Sequence, residues 1–154
     1  MSVQVSTLAV TAADGHAWQV LRHAPARPIA SLLWLPALGV VARHYQPFAH
    51  ALASAGIAVY LHEWRGNGSS TLRPSREHDW GYRTLLSDDI PASRALLDLH
   101  DPQLPCVLAV IAWAANWLAA MPRCSRHGLR SCGWSPAARR TGAISRCRCA
   151  TACR

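Results

Sequence analysis

Residues 3–10 carry Val3, Val5, Leu8 and Val10 among polar positions, and residues 17–23 form a second β-favouring run. Ala13-Asp14-Gly15 lies between them. Asp-Gly between two such runs is a hairpin signal, so the chain is predicted to start with an antiparallel pair. After Pro25 and Pro28 comes a short, almost wholly apolar run at 29–35 that stops at Pro36. Its length and flanking prolines suit a strand buried on both faces better than a helix. Residues 45–55 place Phe48, Ala49, Leu52 and Ala53 at helical spacing, with Gly56 as the stop. A second buried strand is expected at 57–61, and the Gly-, Ser-, Asn- and Arg-rich residues 62–76 read as a loop.

Residues 84–99 repeat Leu85, Leu86, Ile90, Leu96, Leu97 and Leu99 on a mostly helical period. Ser87 or Asp88 is the expected N-cap, and Pro91 falls in the first turn. A third buried strand follows at 106–111. Strand, helix, strand, helix, strand predicts an α/β fold: a parallel sheet with right-handed crossovers and helices on both faces, preceded by a hairpin.

The 154 residues, 51% of them hydrophobic, fit one ordinary domain. The net charge of +8 is unevenly placed. Through Asp101 eight arginines balance eight acids; from Pro102 onward there are eight arginines, no acid and no lysine, and five of the six cysteines follow Met121. So abrupt a shift predicts a boundary, with residues 1–108 as the folded part and 109–154 as an aberrant Arg/Cys-rich tail that packs poorly. Residues 1–13 have no basic segment ahead of an apolar one, and the apolar run at 107–120 is interrupted by Asn116 and falls short of the roughly 20 residues of a membrane span. The expectation is a cytoplasmic protein with no secretion signal and no membrane span.

Two segments, each after an expected buried strand, carry a family resemblance. Leu35-Pro36-Ala37-Leu38-Gly39 is similar to the oxyanion loop of α/β-hydrolases, and Glu63-Trp64-Arg65-Gly66-Asn67-Gly68-Ser69 resembles their Asp-x-Arg-Gly-x-Gly-x-Ser loop. The match covers about residues 1–110 and points to the lysophospholipase or serine-aminopeptidase-like branch. The resemblance implies that the loop after the first parallel strand gives a main-chain N–H to the oxyanion hole, where it meets charge that develops in the transition state. By position that donor is Leu38. Pro36 stands where many members carry His, a change that a main-chain donor tolerates. Arg65 is expected to tie loops together rather than to act in chemistry. A phosphate-cradling reading of Gly66-Asn67-Gly68-Ser69 is poor, since no Lys follows the glycines.

The family's Gly-x-Ser-x-Gly elbow is due after the strand at 106–111, yet Leu108 to Trp117 contains no serine. Gly133-Trp134-Ser135-Pro136-Ala137 is a decoy, because the residue after a nucleophile supplies an oxyanion N–H and Pro136 has none. No acid follows Asp101, so a serine, acid and histidine cannot be completed in order. The genetic code suggests a cause. Codons read from the third base of each residue permit Gly across Ala109-Val110, His across Val110-Ile111, Ser across Ile111-Ala112 and Leu across Ala112-Trp113. Trp113-Ala114 forces Gly, and Ala114-Ala115 permits another. A Gly-His-Ser-Leu-Gly-Gly elbow is thus readable where the fold needs one, and an acid-free tail rich in Arg, Cys, Ala and Trp is what an out-of-frame reading of a GC-rich gene tends to give. The expectation is a truncated serine hydrolase, inactive as written, whose intact parent acts on a small-molecule ester, thioester or amide.

The other readings are weaker. Cys147, Cys149 and Cys153, or Cys124, His127 and Cys132, fit no paired Cys-x-x-Cys frame, so no metal and no cofactor are expected. An arginine-rich tail that binds nucleic acid or an acidic surface is the non-enzymatic alternative, but charge alone gives salt-dependent attraction without specificity, and no specific nucleic-acid partner is expected. His44, His50, His62 and His78 read as surface or loop residues, and His62-Glu63 need not form a dyad because neighbours on a strand point apart. Asp88 and Asp89 read as helix N-terminal charges. Trp64 and Trp80 suit either a pocket wall or a core cap.

Overall fold

The computed structural model describes residues 2–111. The tail expected to pack loosely, the Ser135 decoy and the cysteines beyond Cys106 lie outside the described residues. Five strands form one mixed sheet in the order β1-β2-β4-β3-β5: β1 (Val3–Thr11), β2 (Ala17–Pro25), β3 (Ala30–Leu35), β4 (Ile57–Leu61) and β5 (Cys106–Val110). β1 and β2 pair antiparallel from Val3↔Pro25 to Thr11↔Ala17. Ala12 N–H donates to the His16 carbonyl at 2.8 Å, which leaves Ala13-Asp14-Gly15 as the loop, with Gly15 at φ +83°. A three-residue loop closed by a left-handed residue matches the strands' twist, as the Asp-Gly signal implies.

β2 runs antiparallel to β4, whereas β3 runs parallel to both β4 and β5. The expected three-stranded parallel core is therefore present, with β3 at its centre. The run at β3 is apolar but for buried Ser31, because both faces are covered. Leu33 and Leu35 join Val20, Tyr60, Ile90 and Leu97 on one side, and Leu32 joins Val59, Leu61, Ala49 and Ala42 on the other. Helix α1 (Gln46–Ser54), entered through a 3₁₀ turn at Ala42–Tyr45, supplies the second side; Gly56 ends it at φ +97°.

The second crossover helix differs from expectation. It starts at Tyr82 rather than Thr84, as α2 (Tyr82–Thr84), a π-helical turn (Leu85–Asp89) and α3 (Ile90–His100) in succession. Neither Ser87 nor Asp88 caps it; Ser87 Oγ donates to Asp88 Oδ1 instead. Pro91 lacks an N–H, and its ring would meet the carbonyl of Ser87 in an ordinary α-turn. Widening the backbone to a π turn just before Pro91 removes that clash and keeps the helix running. No helix among the described residues is long and apolar enough to cross a membrane.

Candidate functional site

β3 and β5 are parallel and in register to their last residues, Leu35 opposite Val110. The carboxyl ends of the two strands therefore lie at the same edge of the sheet, one strand spacing apart, roughly 4.8 Å. Beyond Leu35 the chain makes a turn in which Val40 N–H donates to the Ala37 carbonyl at 3.0 Å and Gly39 sits at φ +81°. A left-handed third residue marks a type II turn, and glycine meets that demand without strain. Leu38, its second residue, is 38% exposed. No hydrogen bond among the described residues uses its N–H.

Three consecutive residues after β4 hold this region together. Trp64 Nε1–H donates to the Pro36 carbonyl at 2.8 Å, and Glu63 Oε1 accepts the Ala42 N–H at 3.1 Å. Burial pushes the Glu63 carboxyl up, and its two main-chain donors, Ala42 and Ser69, pull it back down. Gly68 packs directly on that carboxylate; a Cβ there would come within 2.0 Å of Oε2. Arg65 joins three separate segments: Nε and Nη2 bind Asp89 in the π turn at 2.8 to 3.0 Å, and Nη1 binds Asp14 at the hairpin tip at 2.6 Å. Burial pushes the Asp89 carboxyl up while Arg65 opposes that shift. Arg65 thus ties loops together, as the sequence suggests. Asp89 is not a solvated helix-end charge; it is fully buried, and the guanidinium fork is its compensation.

His62 also departs from expectation. It is fully buried, not a loop or surface residue, because its N–H extends the β4–β3 ladder to the Trp34 carbonyl at 3.0 Å and carries the strand one step further into the core. His44, His50 and His78 are exposed, as read from the sequence. The His62 Nδ1 meets Ser93 Oγ at 2.8 Å. A hydroxyl bonded to an imidazole is the pattern of an activated serine, but His62 and Ser93 are both 0% exposed, so no substrate reaches them. Burial drives the His62 imidazole down to about 3, with His16 adding to the effect. His16, stacked on Trp18 at 4.9 Å, is lowered to about 4 for the same reason, burial first, then Arg65. His16 and Ser93 have no local sequence signal, since only the fold brings residues 16, 62 and 93 together.

Trp64 belongs to the core at 1% exposure, whereas Trp80 is half-buried, with its ring over Gly66. An open groove of about 610 Å³ lies between β2 and the 62–73 loop, lined by Gln19, Leu21, Arg43, Glu63, Asn67 and Arg73. Its β2 wall stands on the far side of β4 and β3 from β5, away from the paired ends of β3 and β5. Among the described residues no group of three or more His, Cys, Asp or Glu is placed to hold a metal ion.

No family model matches the sequence, and no curated protein matches it. Solved structures do. The Pyrococcus furiosus esterase Pf2001 is 19% identical with a TM-score of 0.54, over 71% of this chain and 40% of that one. Brefeldin A esterase, a bacterial homologue of human hormone-sensitive lipase, is 20% identical with a TM-score of 0.53, over 70% and 30%. The epoxide hydrolase VrEH1 of Vigna radiata is 19% identical with a TM-score of 0.54, over 79% and 35%. The described residues have a partial α/β-hydrolase fold. Within that fold, the 36–41 turn and the 63–69 loop occupy the carboxyl ends of neighbouring parallel strands, where α/β sheets place their sites. The chain spans less than half the length of each of these hydrolases.

Proposed function

We propose that this chain is a truncated serine hydrolase of the α/β-hydrolase family, with its reading frame displaced by one base near codons 108 and 109, and that it is inactive as written. The observation that carries the reading is the shared register of β3 and β5: β5 ends beside Leu35, the residue from which the Leu38 turn leaves the sheet. An elbow serine encoded across Ile111-Ala112 begins in that place. The division at residue 108 follows from the same reading, with 1–108 in the parental frame and 109–154 out of it.

Further steps of the alternative frame support it. Asn116-Trp117 forces Leu, since both Asn codons end in a pyrimidine and CTG and TTG both encode Leu. Trp117-Leu118 allows only Ala or Val, and Met121-Pro122 forces Ala. Counted from the forced Gly at Trp113-Ala114, these small or apolar residues fall at the third, fourth and eighth steps, the spacing of one helical face. A helix directly after the serine is what an elbow requires.

In the parent the serine Oγ attacks the carbonyl carbon of an ester, thioester or amide and passes its proton to a histidine. The Leu38 N–H and the N–H after the serine stabilise the oxyanion. The leaving group departs with the histidine's proton and leaves an acyl-serine. Water then attacks, the acid is released, and the serine regains its proton. The written chain lacks the serine, the acid and the histidine in their places. It is expected to show no p-nitrophenyl ester turnover above buffer and no labelling by a fluorophosphonate. Labelling that disappears in Ser135→Ala would make Ser135 the nucleophile and overturn the reading. The basic-tail module is the second reading, resting on the eight arginines after Pro102.

A further inference from the structure

We propose that Glu63 and Trp64 are the positioning residues of the oxyanion loop, holding both ends of the turn that presents the Leu38 N–H; the role rests on the hydrolase reading above. Both follow β4, the strand beside β3. Neighbours on an extended chain diverge, and these two reach opposite ends of one loop. Trp64, 1% exposed, fixes the entry through its Nε1–H to the Pro36 carbonyl at 2.8 Å. Glu63, 5% exposed, fixes the exit by accepting the Ala42 N–H at 3.1 Å. Residues 37–41 lie between these two anchors, and their own Val40-to-Ala37 bond and left-handed Gly39 define the turn.

The anchors are themselves braced. Gly68 gives the Glu63 carboxylate its place, since a Cβ at residue 68 would overlap Oε2. The Trp64 ring packs edge-on against buried His62, with centroids 4.6 Å apart. Pro36 adds its own fixed φ at the loop entry. An oxyanion donor acts through being held in place before the charge develops, so that no reorganisation is needed during the reaction. Neither side chain touches a reacting atom; their effect passes through the turn. The acidic residue that opens the Glu63-to-Ser69 loop and the tryptophan beside it thereby acquire a task that the motif alone does not state.

The test has two arms. In the full chain as written, Trp64→Phe removes the indole donor and keeps an aromatic ring, and Glu63→Met keeps the length of the side chain while removing the acceptor for the Ala42 N–H. Amide hydrogen exchange at Val40 and Ala42, the loop amides that donate to the Ala37 carbonyl and to Glu63, is expected to rise about 10-fold in each variant, with the β4 amides unchanged. Arg94→Ala, on the exposed Arg94–Asp98 pair, is the control and leaves the loop as it was. A rise shared equally by β4, or no rise at Val40 and Ala42, overturns the clamp. In the frame-restored chain the same two substitutions are expected to lower kcat about 100-fold with KM within about 2-fold, the signature of a misplaced transition-state donor. Turnover that survives both substitutions overturns the role alone. No turnover with Glu63 and Trp64 intact overturns the hydrolase reading and this role with it, whatever the exchange data show.

Discussion

Buried histidines set the acid response at the scale of single residues. His62 and His16 have imidazoles depressed to about 3 and about 4 by burial, against about 6.5 in an unfolded chain. Below pH 6.5 the unfolded state therefore binds protons that the folded state does not. Their contribution to stability is complete above pH 6.5 and is lost as pH falls towards 4 for His16 and 3 for His62, at up to about 1.4 kcal/mol per pH unit for each group. Glu63 and Asp89, raised by burial, act in the opposite sense and soften the slope. Urea unfolding of the full chain at pH 7, 6 and 5 is expected to give a falling midpoint, with a shallower fall in His62→Gln; a midpoint independent of pH would contradict this. Much of this residue-level picture was not legible in the sequence. A histidine at the end of an apolar run looks like the start of a loop, and only the Trp34 carbonyl, 28 positions away, makes His62 one more step of the strand. Arg65 could be assigned as a tie because an arginine at the start of a glycine-rich loop has few other tasks, but its partners Asp14 and Asp89 could not.

At the scale of elements, the strands were the most legible part, since short apolar runs bounded by Pro and Gly leave few choices. The observed ends differ from those expected by two residues at most, and β4 matches at both ends. The second crossover helix was less legible. Ser87, Asp88 and Pro91 together look like a helix start, yet the backbone absorbs Pro91 in a π turn and begins the helix near Gly81. The edge strand β5 carries the element-scale prediction. Among the described residues it pairs on one side only, with β3, and its sequence Cys-Val-Leu-Ala-Val has no charge or proline to discourage a second partner. Val107, 51% exposed, is the natural place for a guard. Val107→Lys is expected to reduce light scattering of concentrated full chain while moving the thermal midpoint little, since surface changes are usually within about 0.5 kcal/mol. Equal scattering in both proteins would show that association does not run through this edge.

At the scale of the whole molecule, every acid of the chain lies within the described residues. Through Asp101 acids and arginines are matched in number, and buried Arg65 and Asp89 meet as a pair. After Pro102 no acid remains to pair with eight arginines, and the parallel sheet has reached the strand whose continuation carries the nucleophile in the α/β-hydrolase arrangement. The fold class was legible because alternation of strand and helix survives without any one residue. The elbow expected after β5 has no such redundancy, since it is a matter of single residues on one tight turn. The most direct test is to insert one base near codon 109, express the product, and compare its p-nitrophenyl ester hydrolysis with that of the elbow-serine-to-alanine variant. A folded, active product and an inactive variant are predicted. An early stop codon in the restored frame, or a folded product no more active than its alanine variant, would contradict the account and leave the arginine-rich tail as the functional part of the chain.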